Sequence, residues 1–131
     1  MRTHLVFQSA ELMDVSDEDL DTIPVGRPVA NLLAKGLSAH GFEPLDIFQE
    51  DWGWCITLKN AGFPLWVGCG HSGEHHDGHL CFIQPSKPYI RRWFRKISTI
   101  ETVERLATAL EAILTDHPSV NGLRWWDESE I

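Results

Sequence analysis

Apolar residues recur with two spacings along this chain, and the changes between them predict its elements. Leu5 and Phe7 stand against His4, Val6 and Gln8 over Thr3 to Gln8, which predicts a short first strand. From about Pro28 to His40 the spacing becomes helical. Val29, Leu32, Leu33 and Leu37 fall on one stripe, Pro28 suits the first turn, and Gly41 is placed to cap the end. Gly36 interrupts that helix at up to ~1 kcal/mol against alanine, so either a neighbour approaches closely there or the helix is weak.

Leu45, Ile47 and Phe48 predict a strand over Glu43 to Glu50, followed by another over Trp52 to Lys59. In a regular strand Trp52, Trp54, Ile56 and Leu58 would share one face as the floor of the core, with Asp51, Gly53, Cys55, Thr57 and Lys59 on the other. Asn60-Ala61-Gly62 is turn chemistry, so Phe63 to Cys69 should return as a hairpin arm, with Phe63, Leu65, Val67 and Cys69 inward and Trp66 outward. His79 to Gln84 is a further strand, closed off by Pro85 and Pro88. Ser98 and Glu101 spell a capping box for the clearest helix, whose stripe is Val103, Leu106, Ala107, Leu110, Ile113 and Leu114. Glu101 stands four residues before Arg105, and His117-Pro118 ends the helix. Val120 to Trp126 predicts a last strand, with Leu123 and Trp125 on one face and Arg124 and Trp126 on the other.

The predicted order is β-α-β-β-β-β-α-β, an α+β two-layer sandwich with a mostly antiparallel sheet of five to six strands and two amphipathic helices on one face. No repeat or linker divides the chain, so residues 1–131 are read as a single domain.

Charge and composition narrow the function. A net charge of -8 argues against nucleic-acid binding, which needs a basic field. No run of ~18 apolar residues exists to span a membrane. The three cysteines form an odd set and no apolar leader is seen, so a reducing cytoplasm is expected. Glu11 to Asp21 reads as a solvated acidic loop. Its Asp17, Asp19 and Asp21 open like a calcium loop, but Thr22 stands where glycine is required and Pro28 where a bidentate glutamate is required. Glu50 and Asp51 are adjacent on a predicted strand and point apart, which disfavours an acid/base pair. No catalytic set is expected.

Glu50-Asp51-Trp52-Gly53-Trp54-Cys55, Leu65-Trp66-Val67-Gly68-Cys69-Gly70 and Arg124-Trp125-Trp126-Asp127-Glu128 together resemble a family of small bacterial proteins. The similarity runs from about Pro28 to Glu128. It implies a bacterial, single-domain, cytoplasmic protein and carries over no activity, cofactor or catalytic residue. The histidine-rich stretch after Gly70 departs from that family's pattern.

Two stretches carry candidate chemistry. If strands ending near His71 and starting near His79 pair as a hairpin, Cys69 lies opposite Cys81 and His71 opposite His79, because both pairs have the same index sum. Period two then puts all four on one face, a tetrahedral zinc set with His75 and His76 as alternatives. The same face continues as Val67, Leu65 and Ile83, so the cysteines can equally be small buried apolar residues. Apart from this zinc, no cofactor is expected. Cys69 beside His71 lacks a third orienting group for nucleophilic work.

The second stretch is Pro88 to Lys96. Arg91, Arg92, Arg95 and Lys96 are four of the 11 basic residues, interleaved with Tyr89, Trp93 and Phe94. That composition favours a protein partner or self-association through Tyr89, Arg91, Arg92, Trp93 and Arg95. The alternative is that Trp93 and Phe94 anchor a connection to the core while the arginines pair with the Glu11–Asp21 acids. A cleft among Trp66, Trp126 and the Trp93 segment could take an apolar ligand. On this reading the chain is a non-enzymatic binding or adaptor module.

Overall fold

A computed structural model of the chain describes residues 1–131. Eight strands form, β1 (His4–Gln8), β2 (Pro44–Glu50), β3 (Gly53–Leu58), β4 (Leu65–His71), β5 (Gly78–Gln84), β6 (Tyr89–Arg92), β7 (Arg95–Ser98) and β8 (Asn121–Trp125), with two helices, α1 (Arg27–Leu37) and α2 (Ile100–Asp116). Six of the strands make one sheet in the order β2-β3-β4-β5-β1-β8, and every neighbouring pair is antiparallel. Short connections let β2 to β5 run as a meander. The first strand slots between β5 and β8. This is the expected α+β sandwich, with the expected order of elements in the main sheet.

Alternation along the strands decides which face is covered. Leu5 and Phe7, Ile56 and Leu58, Leu65, Val67 and Cys69, and Cys81 and Ile83 join Val29, Leu33 and Leu37 of α1 and Val103, Leu106, Leu110 and Leu114 of α2 in one buried cluster. Both helices therefore lie on the same side of the sheet, where each fully buried aliphatic side chain contributes about 1.5–3 kcal/mol. The two helices touch at Gly36. A Cβ there would stand 2.8 Å from Ile113 Cδ1 and Cγ1, so the glycine marks a close approach rather than a weak helix. Helix α1 ends in a 3-10 turn over Ser38–His40, capped by Gly41 at φ 84.

Four sequence expectations are corrected. Asp51 and Trp52 are not strand residues but the two-residue turn between β2 and β3, with Glu50 paired to Gly53. Gly53 lets that turn press on β4, since a Cβ would collide with the carbonyl oxygen of Cys69. The turn throws Trp52 away from Trp54, Ile56 and Leu58, onto the opposite face against Trp66 and Phe82. Second, Ser98 ends β7 and caps nothing. Thr99 is the N-cap of α2 without a side-chain cap bond, and its hydroxyl donates instead to the Lys87 carbonyl. Third, Arg105 makes no ion pair with Glu101 and lies 5.0 Å over the Phe42 ring. Fourth, residues 89–98 are not a plain connection but an independent antiparallel hairpin.

Candidate functional site

The face of the sheet opposite the helices has no second layer. Period two brings to it Phe48 from β2, Cys55 and Thr57 from β3, Trp66 from β4, Leu80 and Phe82 from β5, and His4 from β1. Trp126, whose backbone N–H donates to the His4 carbonyl, continues the row past β8. Between the rings β4 offers only Gly68 and Gly70. The Phe82 ring covers Gly68 where a Cβ would have stood, and the Trp52 carbonyl oxygen lies 2.9 Å from a Cβ position on Gly70.

The rings touch in an unbroken series. Trp52 and Trp66 have centroids 6.1 Å apart, Trp52 and Phe82 5.1 Å, Trp66 and Phe82 5.6 Å, His4 and Phe82 5.8 Å, and His4 and Trp126 4.9 Å. The three pairs among Trp52, Trp66 and Phe82 are tilted or edge-on and add about 0.5–1.5 kcal/mol each beyond their burial, while His4 stacks near-parallel on Phe82 and Trp126. Burial in this row lowers the pKa of His4, whose ring Nδ1 lies 2.9 Å from the Thr3 hydroxyl. Trp126 Nε1 is buried without an acceptor.

Trp52 and Trp66 also divide the face into two adjoining clefts. One, of about 340 Å³, is lined by Trp52, Trp66, Gly70, His71, Leu80 and Phe82. The other, of about 360 Å³, is lined by Phe48, Glu50, Trp52, Cys55, Thr57 and Trp66. Asp46, Phe48 and Glu50 share one face of β2, so the rim of this second cleft is acidic. Burial first, and then the charges of Glu50 and Asp46, push the Cys55 thiol up to about 11, leaving it un-ionised and inert at neutral pH. Neither acid makes an ion pair.

The hairpin of β6 and β7 is the second feature. Ile90 pairs with Ile97, and both pack against the core, so these two residues are its anchor rather than Trp93 and Phe94. Arg92 pairs with Arg95 across a two-residue turn made of Trp93 and Phe94. Trp93 is 91 % exposed and Phe94 100 %. Trp93 adopts φ 60, the left-handed region that tight hairpin turns demand and that favours Asn or Gly. Lys96 Nζ lies 3.9 Å and the Arg91 guanidinium 5.8 Å from the Tyr89 ring centre, while Arg92 Nη1 donates to the Gly62 carbonyl at 2.7 Å. None of Arg91, Arg92, Arg95 and Lys96 pairs with the acidic loop or with any other carboxylate.

The cysteine and histidine register is as read from the index sum, with Cys69 opposite Cys81 and His71 opposite His79. The two histidines serve separate bonds. His79 is fully buried, its Nε2 donates to the Ser9 carbonyl at 2.9 Å, its ring stacks on Phe7 at 5.0 Å, and its Nδ1 has no partner. Burial lowers its pKa against the opposing effect of the Ser9 bond. The His71 Nε2 faces the His75 carbonyl at 2.9 Å, and His76 joins no donor set. Contact with the Cys81 thiol, then burial, hold the Cys69 thiol well above its usual range. Nowhere do three or more His, Cys, Asp or Glu donors converge as a metal site would require.

Sequence reasoning placed Trp66, Trp126 and the exposed arginines but missed Trp52, Phe82 and His4 as members of one surface. The signal was present in Gly68 and Gly70, which alternate with buried Val67 and Cys69 and leave room only for rings brought from neighbouring strands. Comparison with known protein families, curated proteins and solved structures finds no match to this chain. Fold and surface together define an α+β sandwich with an uncovered aromatic face and a basic, aromatic-tipped hairpin. No helix is long and apolar enough to cross a membrane.

Proposed function

We propose that this chain is a non-enzymatic protein-binding module of the bacterial cytoplasm that engages its partner through the hairpin, with Tyr89, Arg91, Arg92, Trp93 and Arg95 at the contact. The observation that carries this reading is the full exposure of Trp93 and Phe94 at a hairpin tip. Each ring left in water forgoes about 1.5–3 kcal/mol of burial. The left-handed conformation at Trp93 costs about 1–3 kcal/mol more. Tryptophan and arginine are the residues on which binding energy concentrates at protein interfaces. The three buried free cysteines suit a reducing compartment. The net charge of -8 speaks against nucleic acid as the partner.

A photo-crosslinking residue in place of Phe94 tests the reading. A defined adduct is expected, competed away by excess unmodified protein but not by the Trp93→Ala, Arg91→Glu variant. The same labelling pattern from the exposed helix position Glu101 would sink the proposal. Zinc held by Cys69, His71, His79 and Cys81 is the second reading, supported by their facing register alone.

A further inference from the structure

The hairpin has a complement on the same molecule. We propose that the aromatic trough around Trp52 and Trp66 is the docking site for the β6–β7 hairpin of a second copy of this chain. The inference rests on reading the hairpin as a docking element and names its partner.

Three observations converge. The first is charge. Arg91, Arg95 and Lys96 project from the hairpin without carboxylate partners, and Asp46 and Glu50 rim the trough without cationic ones. No charge in either set has an intramolecular ion pair to give up, although Arg91 and Lys96 lie over the Tyr89 ring. No lysine or arginine lines either cleft, so nothing repels the incoming guanidinium groups. The second is shape and chemistry. Each cleft lies at the low end of the usual range for ligand sites of about 300–1,000 Å³, a size that suits one or two side chains. Two neighbouring clefts parted by Trp52 and Trp66 match two neighbouring rings at a hairpin tip. Guanidinium groups stack favourably on indole faces, so the flanking arginines suit the same walls. The third is that a chain does not fill its own trough: Phe94 is 100 % exposed, and Arg92 is tied to Gly62.

Sedimentation velocity on the full chain, over a range of micromolar concentrations and in low and high salt, provides the test. Concentration-dependent association that weakens with salt is expected. Exposed charges supply variants that leave the core alone. Arg91→Glu with Arg95→Glu should weaken association at least about tenfold, as should Asp46→Lys with Glu50→Lys. An equimolar mixture of these two reversed proteins should associate again through the restored opposite charges. Trp93→Ala with Phe94→Ala should abolish association without altering the monomer's circular dichroism. A monomer at every concentration would overturn the second-copy proposal; a residue-94 crosslink to another protein would then still uphold the hairpin as a binding element. Association that the hairpin variants remove but the Asp46/Glu50 reversal leaves unchanged would overturn the trough as its seat.

Discussion

The ring of Phe82 occupies the space where a side chain on Gly68 would be. Phe82 pairs across the sheet with Gly68 and touches Trp52, Trp66 and His4, so it joins the two halves of the aromatic row. Gly68→Ala should force that ring outward. A stability loss of about 1–3 kcal/mol in urea unfolding is expected, with a changed tryptophan emission spectrum. Unaltered emission would mean that the row does not depend on this contact.

Trp93→Asn separates binding from folding. The indole is 91 % exposed and stands at φ 60, so its removal takes nothing from the core and relieves the turn. Thermal unfolding should show equal or greater stability, by up to about 1 kcal/mol, while association is lost. A destabilised variant would show that Trp93 is held by contacts within its own fold.

Acid should weaken the fold through His79 and His4. Burial lowers both pKa values from 6.5, so the unfolded chain takes up protons that the folded chain refuses. Stability is fully present above the unfolded pKa and falls as pH drops from 6.5 towards the folded values. Each group contributes at most about 1.4 kcal/mol per pH unit. Urea midpoints taken at about pH 7.5 and about pH 5.5 should differ in that direction, and His79→Gln should reduce the difference. An unchanged midpoint would deny both histidines this role.

Zinc would need the free Nδ1 of His79 to converge with His71 and the Cys69 and Cys81 thiols, and the structure does not bring these four donors together. Equimolar zinc added to protein purified without a histidine tag should therefore leave the melting temperature unchanged. Stoichiometric uptake with a raised melting temperature, abolished by Cys69→Ala, would establish the metal site instead.

Periodicity made the sandwich legible because each helix carries one stripe and each central strand one apolar face. It also placed Cys69 opposite Cys81, since an antiparallel hairpin has a single register once its centre is known. Both missed features are turns with unusual chemistry. Asp51-Trp52 and Trp93-Phe94 are two-residue hairpin turns without the Asn-Gly or Asp-Gly signature, and an aromatic pair between arginines looks like a core anchor until the turn is seen. The capping box at Ser98 failed because β7 already claims that residue. Long-range pairing also decided what period two could not, namely the strand order, with β1 seated between β5 and β8.

The place of β1 in the sheet bears on how the protein comes to be folded. This strand is made before its two neighbours, yet its ladder partners are Phe82 for His4 and Trp125 for Leu5, 78 and 120 residues further along. Leu5 and Phe7 therefore wait, unpaired and apolar, until β5 and β8 exist to receive them. Pairings so distant in sequence slow the search for the native state and leave sticky segments exposed in the meantime. The meander from β2 to β5 is the part whose pairings are local, whereas β1 depends on strands that lie far along the chain.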